Sequence, residues 1–310
     1  MANKIWEEDK TYNILRYYVD FTTRSLFSSV KIKGRENLPE DGMVMYAPNH
    51  CAALIDPLMI LLIRKKPVAF GARYDIFQKG KTIAKILNFL RILPIARERD
   101  GLNAVASNLD TYEQIIECLD KGVPFTLYAE GAHRAERGML PVKKGIFRIA
   151  RMAAERTGKK MWIVPIGVDY EYFFRQTGRA TITIGKPLEL NEYLQQHSDR
   201  TEFINYRELC NWLRDTDMSM IGKIPERSHK YLVPRIALAI PSLPVFLPFA
   251  VLAAPIWLTA ELILRNFKDK AWTHTVYFAV RLLLPVFVPF QFVYSYFMKF
   301  YVNIIEDLRK

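Results

Sequence analysis

Cysteine is scarce in this chain and badly placed for joint chemistry. Its three cysteines, Cys51, Cys118 and Cys210, form no C-x-x-C pair. Neither a disulfide framework nor a thiolate zinc site is expected, and a reducing compartment fits. The five histidines, His50, His133, His197, His229 and His274, have no ligand-pair spacing, so no metal is expected. No internal repeat, low-complexity stretch or nucleic-acid recognition module is present, and the basic residues are spread out. Nucleic acid is therefore not an expected partner. Residues 1–10 are too charged for the apolar core of a signal peptide, so cleavage and export are not expected.

Charge is absent from Ile236 to Ala260, a length sufficient to cross a bilayer core. A second run, Leu282 to Met298, is interrupted only by Gln291, Ser295 and tyrosines, and the polar stretch Arg265–His274 separates the two. Soluble helices rarely go so long without a polar face, so a membrane region is expected. Pro234, Pro241, Pro244, Pro248 and Pro255 argue for a kinked span or a re-entrant hairpin in the first run. Lys223, Arg227, Lys230 and Arg235 precede it, which places the preceding domain in the cytoplasm, although the loop is basic too. The composition changes near 227–230, dividing the chain into a catalytic domain with an N-terminal helix (1–230) and hydrophobic membrane-anchoring helices (231–310).

The net charge of +12 favours an anionic partner, a membrane surface or a phosphorylated substrate. Residues 11–29 have helical periodicity with aromatics on one side, fitting either a membrane surface or the catalytic domain. Strands are expected at 29–34, 43–47, 68–70, 92–96, 124–128, 161–168 and 180–184. Helices are expected from Asp56 to about 63 and at 76–90, 102–119, 142–156 and 201–221. Short apolar strands between helices indicate an α/β sheet with helices on its faces.

Strand ends carry the polar residues. Asn49-His50 closes the first apolar run of the domain, and Asp56-Pro57 opens a helix. A histidine with a carboxylate a few residues on suits a general base and its orienting partner. Asp-Pro is equally a helix N-cap with proline at the first helical position. Arg97 ends the strand Ile92–Ala96, where α/β sheets place ligands. Glu130-Gly131-Ala132-His133-Arg134 follows another strand and offers a carboxylate, a flexible turn and cations, with Arg137 beyond. Lys143-Lys144-Gly145 opens a helix, a phosphate-friendly position. Each alone is also an ordinary solvated loop.

In order, N-H-C-A-A-L-I-D, L-P-I-A-R-E-R-D, Y-A-E-G-A-H-R and the I-V-P-I at 163–166 resemble the four blocks of the glycerolipid acyltransferases, over roughly residues 30–190. The resemblance implies a mixed sheet flanked by helices and followed by the helical membrane region. It implies transfer of a fatty acyl group from a thioester to a lysophospholipid hydroxyl, converting 1-acyl-sn-glycerol-3-phosphate to phosphatidic acid. Glycerol-3-phosphate or a lyso-aminolipid is the other acceptor reading. A non-catalytic membrane protein that binds anionic lipid is a more distant one. His50 would be the base and Asp56 its partner. Arg97, Glu130, Gly131, Arg134 and Lys144 would bind the acceptor, and Val164, Pro165 and Ile166 would line the acyl-donor side. No cofactor is implied; coenzyme A, acyl carrier protein or phosphate would carry the acyl group. The partners implied are the acceptor, the donor and a bilayer with anionic lipids, and the implied location is the inner (cytoplasmic) membrane. Three features depart from the commonest pattern, one of them Pro94, which stands where the second block usually has phenylalanine. Five residues separate His50 from Asp56 where four are usual, and His133 stands where E-G-T-R-S has its arginine.

Overall fold

In a computed structural model, residues 4–7, 9–96, 108–173, 178–224 and 232–308 are described. The strands β1 (Ser29–Lys33), β2 (Met43–Pro48), β3 (Ala69–Arg73), β4 (Ile92–Ile95), β5 (Phe125–Thr126), β6 (Met161–Tyr170), β7 (Arg179–Ile184) and β8 (Leu188–Glu189) form one sheet. Their order is β1-β7-β6-β2-β5-β3-β4, with β8 also on β6. The sheet is mixed. β6 runs antiparallel to β7 and β8, and the other pairings are parallel.

The helices are α1 (Lys10–Ser25), α2 (Ile55–Leu61), α3 (Tyr74–Phe77), α4 (Lys81–Phe89), α5 (Asn108–Asp120), α6 (Gly145–Thr157), α7 (Leu190–Gln196) and α8 (Glu202–Met220), then α9 (Leu232–Leu252), α10 (Ala254–Leu264), α11 (Thr273–Leu283) and α12 (Val288–Leu308). The single helix expected at 76–90 is two, because Gly80, at φ 148°, interrupts it. β8 and α7 are too short to leave a periodic signal.

Alternation along the central strands feeds two cores. Met43, Met45 and Ala47 of β2 point to one face, with Ile115, Phe147 and Leu209. Tyr46 joins Val164, Ile166 and Val168 of β6 on the other. That second core also contains Ile256 and Ala260 of α10 and Val276, Phe278 and Val280 of α11. The chain beyond 231 therefore packs directly on the sheet.

Further out, the burial pattern is reversed. α1 buries Arg16, Thr22, Thr23 and Ser25 while exposing Ile14, Tyr17 and Phe21. Arg281 of α11 and Gln291 and Ser295 of α12 are buried too, whereas Phe292 and Tyr296 are exposed. Arg281 donates to Ser25 Oγ at 2.9 Å. α9 packs along α12, where Phe246 meets Tyr294 and Tyr301. Among the described residues, Val233–Leu252 is the one single helix long and apolar enough to cross a membrane; a second such span would be the pair Lys270–Leu283 and Pro285–Ile305, bent by 101°. Pro241, Pro244 and Pro248 lie inside continuous helix, and the break comes at Ala253, just before Pro255.

Candidate active site

The loop after β2 is anchored by Asn49. β2 pairs with β6 from Met43↔Met161 to Pro48↔Ile166. Just past that register, buried Asn49 accepts from Val168 N at 2.7 Å and donates to Val168 O at 3.1 Å. A side-chain amide thus continues the ladder where the backbone leaves it, holding the next residue, His50, just past the C-terminal end of this central strand.

Asp56 organises the turn that follows. Its Oδ2 accepts from His50 Nδ1, Cys51 N and Ala52 N, each at 2.7 Å. Its Oδ1 accepts the Tyr170 hydroxyl at 2.7 Å. The helix-cap reading is corrected here: Leu54 occupies the N-cap of α2, and Asp56 lies inside the first turn with its carboxylate directed back at the loop. Five intervening residues fit because Ala53 adopts φ 45°, a left-handed conformation uncommon for a residue with a Cβ. With Nδ1 bonded to the carboxylate, His50 keeps Nε2 free of hydrogen bonds among the described residues. The Tyr128 ring stacks on the imidazole with centroids 4.2 Å apart. Burial, reinforced by Asp56, Glu130 and Asp169, pushes the Cys51 thiol well above its ordinary value, which leaves it a poor nucleophile.

Glu130 is 3% exposed. Both its oxygens accept backbone N–H groups, His50 N at 2.6 Å and Leu140 N at 2.5 Å. The sequence offers this carboxylate to a substrate hydroxyl; the fold uses it to tie the third-block loop to the His50 backbone. Burial raises its carboxyl to about 7 in spite of those bonds. Gly131 takes φ 68°, and a Cβ there would meet Lys143 Nζ at 3.1 Å. Lys143 therefore lies over this turn. Lys144 stands exposed at the start of α6, with its charge acting on Cys210 of α8.

Arg134 pairs with Glu136 at 3.1 Å on the surface. Arg137 bonds Asp169 Oδ1 at 3.1 Å and Tyr170 O at 2.9 Å, joining the loop to the end of β6. Arg97 lies outside the described residues. Val164, Pro165 and Ile166 are all buried within β6. Two contributors had no signal in the sequence. Tyr170 reaches Asp56 from 114 positions away, and Asp269 reaches His133 from 136.

A histidine–aspartate pair with one ring nitrogen free can take a proton from a hydroxyl and return it to a leaving group. Residues 29–169 match the family model described as Acyltransferase. Among solved structures, the chain is similar to the crystal structure of the 1-acyl-sn-glycerophosphate (LPA) acyltransferase PlsC from Thermotoga maritima. The TM-score is 0.50 at 21% identity, over 72% of this chain and 86% of that one. This is a likeness of fold. No curated protein matches the sequence.

Proposed function

Since residues 29–169 match the acyltransferase family model, we propose that this protein is a membrane-bound enzyme of that family that transfers a fatty acyl group from a thioester to a lysophospholipid hydroxyl. The acceptor is 1-acyl-sn-glycerol-3-phosphate and the product phosphatidic acid. The observation that carries the reading is the 2.7 Å His50 Nδ1–Asp56 Oδ2 bond, with Nε2 left for substrate.

In this mechanism Nε2 removes the acceptor's hydroxyl proton as the oxygen attacks the thioester carbonyl. Asp56 stabilises the imidazolium that forms. When the tetrahedral intermediate collapses, the C–S bond breaks and the imidazolium protonates the departing thiolate. Neither a covalent acyl-enzyme nor Cys51 takes part. Lys143 and Arg97 supply positive charge for the acceptor's phosphate, and Glu130 and Gly131 position the loop.

Membrane attachment is supported by α9, whose apolar length is not buried against the rest of the chain, and by the apolar side chains that α1 and α12 expose, Ile14, Tyr17, Phe21, Phe292 and Tyr296, while burying Arg16, Gln291 and Ser295. An enzyme held at the bilayer meets its lipid without extracting it into water. The positive charge holds the domain on the cytoplasmic face, each basic residue near anionic lipid contributing about 1 kcal/mol.

The test is purified protein in detergent with labelled acyl-CoA and, in turn, lysophosphatidate, glycerol-3-phosphate and a lyso-aminolipid. Transfer to lysophosphatidate, abolished by His50→Ala, is the expected result. Absence of product with every acceptor overturns the reading, and transfer that survives His50→Ala removes His50 as base.

A further inference from the structure

A second histidine adjoins the base, and the mechanism above gives it no part. The His133 ring meets the His50 ring edge-on, with centroids 5.2 Å apart. Its Nε2 lies 3.2 Å from Oδ2 of Asp269, in the polar stretch between the two apolar segments. Trp272 of the same stretch stands edge-on to His133 at 6.2 Å. The carboxylate holds one ring nitrogen and orients the ring. Nδ1 makes no hydrogen bond among the described residues, and the side chain is 24% exposed.

The neighbouring arginines are committed elsewhere, Arg134 to Glu136 and Arg137 to Asp169. His133 is thus the cation-capable side chain in ring contact with the base. When protonated, an imidazole so held donates a charge-assisted hydrogen bond to an anionic oxygen.

We propose that His133 binds the phosphate of the acceptor through Nδ1, with Asp269 positioning it, so that the loop of the C-terminal region completes the acceptor site. This rests on the acyl-transfer reading. It also gives residues beyond 231 a part in substrate recognition, separate from anchoring.

Steady-state kinetics in detergent, with lysophosphatidate and acyl-CoA varied separately, test it. His133→Ala raises the KM for lysophosphatidate about tenfold to a hundredfold, the range for losing one hydrogen bond to a charged group. The acyl-CoA KM stays unchanged and kcat stays close to wild type. Asp269→Asn, which keeps an acceptor oxygen but removes the charge, raises the lysophosphatidate KM by a smaller factor, about threefold. His133→Arg needs no orienting carboxylate to be charged. It retains acceptor binding, and adding Asp269→Asn to it changes nothing further. An unmoved lysophosphatidate KM in His133→Ala overturns the proposal. So does a rise confined to acyl-CoA, or an Asp269→Asn effect equally large beside arginine. If the wild type turns over no acceptor, the acyl-transfer reading fails and this inference goes with it. If the wild type is active and the His133→Ala KM is unmoved, this inference alone fails.

Discussion

Asp56→Asn separates charge from shape at the proposed base, His50. Three donors converge on Oδ2 at 2.7 Å, and the Tyr170 hydroxyl takes Oδ1. An asparagine whose carbonyl oxygen replaces Oδ2 keeps all three bonds. Its amide group then faces the Tyr170 hydroxyl, which can turn and accept. Loop and imidazole tautomer survive, and what disappears is the negative charge opposite the imidazolium formed during transfer. Two unit charges about 4 Å apart at an effective dielectric of about 20 interact by about 4 kcal/mol. That corresponds to a fall in kcat of about a thousandfold, with both KM values near wild type and melting shifted by only a few degrees. Thiol release from acyl-CoA in the presence of lysophosphatidate measures the rate, and thermal unfolding in the same detergent reports the fold. A kcat within tenfold of wild type refutes the electrostatic role. A large fall in melting temperature refutes the reasoning differently, by showing that the carboxylate is needed to build the loop.

Tyr170→Phe leaves Asp56 Oδ1 without its hydroxyl in a buried site. It is expected to cost about 1–3 kcal/mol of stability and to lower kcat by less than Asp56→Asn does; an unchanged melting temperature removes the hydroxyl from the account. Glu130 supplies a pH test. Burial raises its carboxyl from 4.5 to about 7, so the folded protein keeps a proton that the unfolded chain has released. The associated stability is present below the unfolded value and is lost as pH rises through about 7, a difference of about 3 kcal/mol if the whole shift is realised. Glu130→Gln should flatten the stability curve between about pH 5 and 7 relative to wild type. Parallel curves for the two proteins would show that Glu130 does not titrate there.

The α/β class is legible in the sequence because its signals are local. Met43–Ala47 and Met161–Val168 read as apolar strands without knowledge of their neighbours. The same holds for the uncharged run from Ile236 to Ala260, whose length alone points to lipid. His50 and Asp56 are also near in sequence, so their pairing can be suspected from spacing.

What spacing cannot supply is direction. Only the fold decides that Ala53 turns left-handed to absorb the fifth residue, sending the Asp56 carboxylate back to the loop rather than onto a helix cap. Only the β2–β6 register, extended by Asn49 onto Val168, brings Tyr170 within reach of that carboxylate. Glu130 reads as a substrate ligand until Leu140 and His50 donate to both its oxygens. Lys143 and Lys144 are indistinguishable as letters, and the turn at Gly131 selects between them. The residues from 231 onward read as an anchor, yet α10 and α11 pack on the sheet, and Asp269 and Trp272 are carried to the site. The physical reason is common to all of these. Local periodicity records which face of an element is apolar, whereas a hydrogen bond across more than a hundred residues depends on strand register and packing, which no stretch of the chain encodes alone.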